Sequence, residues 1–292
     1  MAEKRGSGGS ILNFVLRNSL AVGVIVVVLF MFIPLPTAFI DLAMVINLAL
    51  SFIILLTVIY MKRAADFTSF PRVVLITTIF GLAINISSTR NILVHPVKTS
   101  GHMAGQSEMV QAFANIVAGD KVLIGFIIFI ILIVVQVLVI TKGADRVSEV
   151  TARFTLDAMN NKMFTIQNQI NNGSITEEEG ELKINQLRQE IDFYSAMDGS
   201  SKFVSGNVKA GIFITVVNLI GGIVTGTLAG ASITDALDSY AKLTIGDGLM
   251  SQLPSLLLSF STGLLITGSN DGDLLSDQLK EQFSANGTIY VI

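Results

Sequence analysis

Six stretches of this chain contain no Asp, Glu, Lys or Arg, and their lengths decide what it can fold into. Between Arg17 and Asp41, Asp41 and Lys62, Arg72 and Arg90, Lys121 and Lys142, Lys209 and Asp235, and Asp247 and Asp271 the uncharged runs hold 23, 20, 17, 20, 25 and 23 residues. Each is close to the ~20 residues with which a helix crosses a hydrocarbon core of about 30 Å. In lipid every backbone polar group must be satisfied within the segment, so such runs become helices. The chain has 292 residues, 51% hydrophobic and 14% charged, little more than half the charge of a soluble domain at about 25%. The expectation is an all-α polytopic membrane protein with about six transmembrane helices.

The charges concentrate in one place. From Lys142 to Lys209 there are 18 in 68 residues, an ordinary soluble proportion. A helical insert over 142–209 is therefore expected between transmembrane helices 1–4 (18–141) and 5–6 (210–270). Residues 1–17 form a polar N-terminus carrying Lys4, Arg5 and Arg17, and no small-residue cleavage site follows, which reads as a signal anchor. With the N-terminus inside, the cytoplasmic segments hold 15 of the 19 Lys and Arg, as the positive-inside rule requires. Residues 271–292 read as a cytoplasmic loop and, in the apolar run Gly287 to Ile292, the start of a seventh span. There is no cysteine, which excludes disulfides and thiolate metal sites.

Within this frame, Pro34 and Pro36 stop span one, about 18–33. Span two, about 37–60, carries Asp41 and Asn47. Span three ends in the polar run Asn85 to Arg90. Between 103 and 118, Met109, Val110, Phe113, Ile116 and Val117 recur at helical spacing and predict a short helix on the outer interface. In span five Gly222, Gly226 and Gly230 recur every four residues, as do Ser255, Ser259, Gly263 and Thr267 in span six; both read as close helix packing. Pro254 predicts a kink or break in span six. In the insert, Val147, Val150 and Phe154 give one apolar stripe, and Ile184, Leu187, Ile191 and Tyr194 another. Asn172-Gly173 reads as the turn between them, and Thr176 with Glu179 as a capping box.

No phosphate-binding loop, dinucleotide fingerprint or metal-spaced His and acidic cluster occurs. Neither enzymatic activity nor a cofactor or metal is expected, and His95 and His102 read as solvated. What remains is the polar set in the apolar runs. A charged side chain at mid-membrane costs from about 2.5 kcal/mol upward unless paired or hydrated, so Asp41, Arg90 and Asp247 stand out. Arg90 and Asp247 both fall at the outer ends of their runs among small polar residues, which suggests a pair that loads a proton.

Four strings resemble one family: Ile140 to Met159 (ITKGADRVSEVTARFTLDAM), Asn85 to Arg90 (NISSTR), Asp192 to Val204 (DFYSAMDGSSKFV) and Leu243 to Leu249 (LTIGDGL). In this order they are similar to the FHIPEP family of bacterial type III secretion export-gate proteins, which serve flagella and injectisomes. The resemblance implies a multi-pass inner-membrane subunit that forms a homo-oligomeric ring, a nonamer, and couples the proton motive force to export of unfolded proteins. It implies as partners other export-gate and flagellar basal-body membrane proteins. It also implies the export ATPase complex and chaperone-substrate complexes, reached through a large C-terminal domain that lies outside this chain. No nucleic acid is implied. By match to the family motifs Arg90, Lys202 and Asp247 are energy-coupling positions; Asp41 joins them as an intramembrane carboxylate. The sequence departs from the family at Asn207, where an acidic residue is usual, and at Gly81, Asn160-Asn161, Lys209 and Gly268. The alternative is a structural docking subunit that recruits export partners without conducting ions. An ordinary secondary transporter is disfavoured because the halves show no repeat.

Overall fold

A computed structural model describes residues 19–95, 106–119, 121–268 and residues 280, 281 and 284. The described residues form eight α-helices and no strand: α1 (Ser19–Phe30), α2 (Thr37–Ile59), α3 (Phe70–Val94), α4 (Glu108–Ala118), α5 (Val122–Val135), α6 (Lys142–Asn171), α7 (Glu177–Leu228) and α8 (Ile233–Thr267). A π-helical segment, Gln136–Thr141, joins α5 to α6 without a break.

Five helices are long and apolar enough to cross a membrane: Thr37–Ile59, Phe70–Val94, Val122–Asn171, Glu177–Leu228 and Ile233–Thr267. The first expected span contributes the shorter apolar helix Ala21–Phe30, which ends ahead of Pro34 as the proline geometry requires. The run Gly287 to Ile292, with its expected seventh span, lies outside the described residues. The charge boundaries at 142 and 209 fall inside helices: Val122–Asn171 is 50 residues of continuous helix and Glu177–Leu228 is 52. The insert is thus a hairpin of two helices that continue spans four and five beyond the apolar layer.

Local chemistry sets the ends. Asn172 closes α6, Gly173 takes φ +70° in the turn, and α7 opens on the reciprocal box in which Glu179 N donates to Thr176 Oγ1 and Thr176 N to Glu179 Oε2, both at 3.2 Å. In α8, Ser232 Oγ accepts from Asp235 N at 3.1 Å. These bonds satisfy N–H groups that a helix start leaves without partners.

α8 is the central helix. It contacts each of α2 to α7, and 56% of its most apolar window is buried inside the protein, against 17% for Val122–Asn171. Pro254 sits inside α8, and the helix runs through it unbroken from Ile233 to Thr267. Proline removes its own N–H and crowds the carbonyl four residues earlier, that of Met250; nearby, the Gln136 amide donates to the Gln252 carbonyl at 3.2 Å.

Gly222 and Gly226 let α8 approach α7, because a Cβ at Gly222 would lie 2.1 Å from the Tyr240 ring and one at Gly226 2.7 Å. Gly230 does not share this face. It lies past the end of α7 at φ +96° with nothing near its missing Cβ, so it turns the chain instead of packing it.

A further expectation is corrected. The buried face of α6 is Ser148, Ala152 and Met159, whereas Phe154 is 69% exposed; small residues there allow the close approach in which Ser148 and Ser201 share a hydrogen bond of 2.7 Å. Helix α4 packs one face onto the bundle. Val110, Ala114 and Ala118 are buried, and a Cβ at Gly246 of α8 would fall 2.0 Å from the Val110 carbonyl oxygen. The hairpin base is likewise built into the bundle: Phe193, Tyr194 and Met197 of α7 share one core with Ile54 of α2, Phe70 of α3 and Leu258 of α8.

The Tyr240 contact generates a test. Gly222→Ala drives a methyl into a fully buried ring, an overpacking worth about 1–3 kcal/mol. Gly143→Ala, with nothing within 4 Å of its Cβ, gains helix propensity of about 1 kcal/mol. Thermal unfolding in detergent is expected to fall for Gly222→Ala and to hold or rise for Gly143→Ala; equal melting temperatures would remove Gly222 from the α7–α8 contact.

Candidate functional site

The most constrained polar group in the molecule is the carboxylate of Asp247. It is 2% exposed and lies about four turns into α8, because that helix begins at Ile233 and not at the charge itself. One oxygen accepts a hydrogen bond from Ser88 Oγ of α3, and the other accepts from Asn218 Nδ2 of α7 at 2.7 Å. Both donors are neutral, and none of the ion pairs among the described residues includes Asp247. Its flanking glycines close the remaining sides. Gly246 meets α4 as described, and a Cβ on Gly248 would lie 2.3 Å from the Phe129 ring of α5. At this level α8 is surrounded by α3, α4, α5 and α7, which keeps lipid and bulk solvent from the carboxylate.

A polar stripe follows one face of α8 from Thr244 towards the hairpin end: Thr244, Asp247, Ser251, Ser255, Ser259 and Thr262, at steps of three and four. The stretch from Asp247 to Thr262 covers about 22 Å at 1.5 Å per residue. Ser255 Oγ accepts from Asn207 Nδ2 at 2.8 Å. The hydroxyls of Thr244, Ser259 and Thr262 are buried without a partner among the described residues, as is Asn218 Oδ1. Ser255 and Ser259, expected to be packing residues only, therefore also carry polarity along the bundle interior.

Arg90 is elsewhere. Its Nη1 donates to the Phe32 carbonyl at 2.7 Å, and Ser87 Oγ donates to the Phe30 carbonyl at 2.7 Å. Both occupy carbonyls that the end of α1 leaves without helical donors. The expected pairing of Arg90 with Asp247 is not formed, for a geometric reason: Ser88 faces Asp247, and a residue two positions on points about 200° away around the helix.

Asp41 has a structural engagement. It accepts from Ser107 Oγ, from Glu108 N at 3.2 Å and from Met109 N at 3.4 Å, so a carboxylate of α2 caps the N-terminus of α4, where the helix dipole favours negative charge.

Lys202 stands on the exposed side of α7, its side chain 68% exposed and paired with Asp198 at 2.6 Å. Sixteen residues separate it from Asn218, about 24 Å along the same helix. No hydrogen bond or ion pair among the described residues joins any two of Arg90, Lys202, Asp247 and Asp41. Among the described residues no group of three His, Cys, Asp or Glu is placed to hold a metal. His95 Nδ1 lies 3.2 Å from the Asn91 carbonyl, and His102 lies outside the described residues.

Sequence reasoning missed Asn218, and with it the real partner set of Asp247. The available signal was a lone amide in the middle of an uncharged run, where polarity is costly. It also missed the α8 stripe, whose three-and-four spacing reads equally well as small-residue packing.

The FHIPEP family model matches residues 13–292. Among curated relatives, the flagellar biosynthesis protein FlhA of Borreliella burgdorferi is 47% identical over 278 residues, 94% of this chain and 39% of that protein. FlhA of Bacillus subtilis is 43% identical over 275 residues, again 94% and 39%. FlhA of Salmonella typhimurium is 40% identical over 272 residues, 92% and 39%. The chain thus spans about two fifths of the length of these relatives. No solved structure matches.

The capping geometry separates two roles for Asp41. Asp41→Ala removes three acceptor contacts at a helix start, a loss of about 1–2 kcal/mol, and is expected to raise amide hydrogen exchange over Glu108–Ala118 about tenfold. Asp41→Asn keeps an acceptor oxygen and is expected to leave exchange close to that of the parent. Unchanged exchange in Asp41→Ala would rule out the cap.

Proposed function

The chain belongs to the FHIPEP family, and from that membership we propose that it is a membrane component of a flagellar protein export apparatus that couples proton movement to export of unfolded proteins. In this reading it is a multi-pass protein of the bacterial inner membrane with its N-terminus and hairpin in the cytoplasm. It works as a subunit of a homo-oligomeric ring, a nonamer, beside other export-gate and basal-body membrane proteins. The export ATPase complex and chaperone-substrate complexes engage it through a further C-terminal domain. It is not an enzyme.

The observation that carries this reading is the buried carboxylate held only by neutral donors from two other helices. An ionised Asp247 accepts from both Ser88 and Asn218; a protonated one becomes a donor on one oxygen, which changes the bonding that oxygen makes with its partner. Protonation therefore acts on the junction of α3, α7 and α8. Because α7 runs unbroken from Asn218 to Glu177, a displacement at the junction is delivered to the hairpin. The partnerless hydroxyls along α8 suit a file of internal water, which in proteins bridges buried polar groups of this kind. One elementary charge moved through 100 mV supplies about 2.3 kcal/mol, comparable to the cost of rearranging two buried hydrogen bonds. Lys202 serves at the hairpin side as an exposed cation on the moving helix. Arg90 and Asp41 act by fixing α1 and α4 around the junction.

The second reading, a docking subunit without ion conduction, is favoured by the hairpin surface, where Phe154 is 69% and Phe164 70% exposed. One experiment separates the two. Proton flux is measured in vesicles containing the parent protein or Asp247→Asn, with export scored in cells. Coupling through Asp247 predicts that the variant inserts normally and loses flux and export by at least about tenfold. A parent without Asp247-dependent flux leaves the docking reading standing.

A further inference from the structure

A groove of about 570 Å³ runs between α3 and α7 on the outside of the bundle. Thr78, Ile79 and Leu82 form one wall, and Lys202, Phe203 and Gly206 the other. Its floor is open because no atom lies within 4 Å of a Cβ built on Gly206. The α6–α7 contact gives its depth. Ser148 of α6 bonds Ser201 of α7, and on α6 charge resumes at Lys142 after 20 uncharged residues. In this antiparallel pair the level of Lys142 falls near residue 207 of α7, about 8 Å from Lys202. The lysine thus stands just outside the apolar layer, and the groove runs from it to Ala210, into that layer.

We propose that this groove holds an acyl chain of an anionic phospholipid whose headgroup phosphate is bound by Lys202. The lysine is set for it: its ammonium is drawn towards Asp198, one turn further out from the apolar layer, so the stem lies along the surface and the charge sits at headgroup depth. An ammonium has three donors, and Asp198 engages one. A phosphate on the layer side of Lys202 takes the others without approaching the Asp198 carboxylate. The wall residues of α3 supply no charge, so Lys202 is the one cation of the groove; the carboxylates that act on it, Asp198, Glu149 and Asp145, lie on α6 and α7 and not on the α3 wall. The site is independent of any role of Asp247.

The chain has no tryptophan and no cysteine, which gives a direct test. Phe203→Trp places a single fluorophore on the groove wall, where Phe203 is 56% exposed, and Phe213→Trp, at a position 71% exposed further along α7, serves as a lipid-facing control. Each protein is reconstituted in phosphatidylcholine vesicles containing brominated phosphatidylglycerol or brominated phosphatidylcholine at equal mole fraction. One lysine near an anionic surface is worth about a fivefold preference. Phosphatidylglycerol is therefore expected to quench the Phe203→Trp protein with about fivefold higher apparent affinity than phosphatidylcholine, and the Phe213→Trp protein with no preference. Adding Lys202→Gln to Phe203→Trp is expected to abolish the preference, Lys202→Arg to retain it, and Gly206→Leu to weaken quenching of the groove fluorophore by either lipid. Equal quenching of Phe203→Trp by the two lipids, or a preference that survives Lys202→Gln, overturns the proposal. So does efficient disulfide formation between copies carrying Phe203→Cys, which would place a second copy in the groove.

Discussion

The arrangement of this bundle depends on keeping one carboxylate inside it. A lone charge in a low-dielectric interior is tolerable only when hydrogen bonds replace its hydration, and the donors for Asp247 come from α3 and α7, 159 and 29 residues away in sequence. Satisfying it therefore fixes which three helices meet. The two glycines beside it fix the rest, since Gly246 and Gly248 admit the backbone of α4 and the Phe129 ring of α5 where any side chain would collide. A carboxylate, two glycines and their neighbours thus make α8 the axis of the molecule.

The second structural consequence is mechanical continuity. By composition the charged hairpin could be a separate domain on flexible linkers, but its helices are those of spans four and five. Its base shares a hydrophobic core with α2, α3 and α8. Glu190 of α7 draws in Arg63 from the loop after α2 at 3.3 Å and Lys162 of α6 at 3.9 Å. Exposed ion pairs contribute little to stability; here they register three elements whose apolar contacts supply the energy. A rearrangement at Asn218 cannot be absorbed in a linker, because none of the described residues forms one between Asn218 and Glu177.

Much of the site was legible in the sequence, and the errors have a common cause. Asp247, Ser88 and the close-packing glycines Gly222 and Gly226 all stand out by type in an apolar setting. The pairing of Arg90 with Asp247 failed because depth was inferred from where charges interrupt the apolar runs. Helix α8 starts 14 residues before Asp247, so a charge that ends an uncharged run stands inside its helix and inside the bundle. Gly230 failed because a four-residue period was extended past the point where the helix stops.

By itself the sequence determined that this chain brings several apolar helices to a bilayer, where its hairpin turns and which family its motifs match. These are local consequences of backbone hydrogen bonding in lipid, of charge-free length and of capping chemistry. Only the tertiary structure decided that Asp247 is held by Ser88 and Asn218, that Arg90 and Asp41 secure helix ends, and that Lys202 borders a groove. Those outcomes depend on the register and rotation of helices distant in sequence, set by packing at single glycines and by the cost of leaving a buried polar group unpaired.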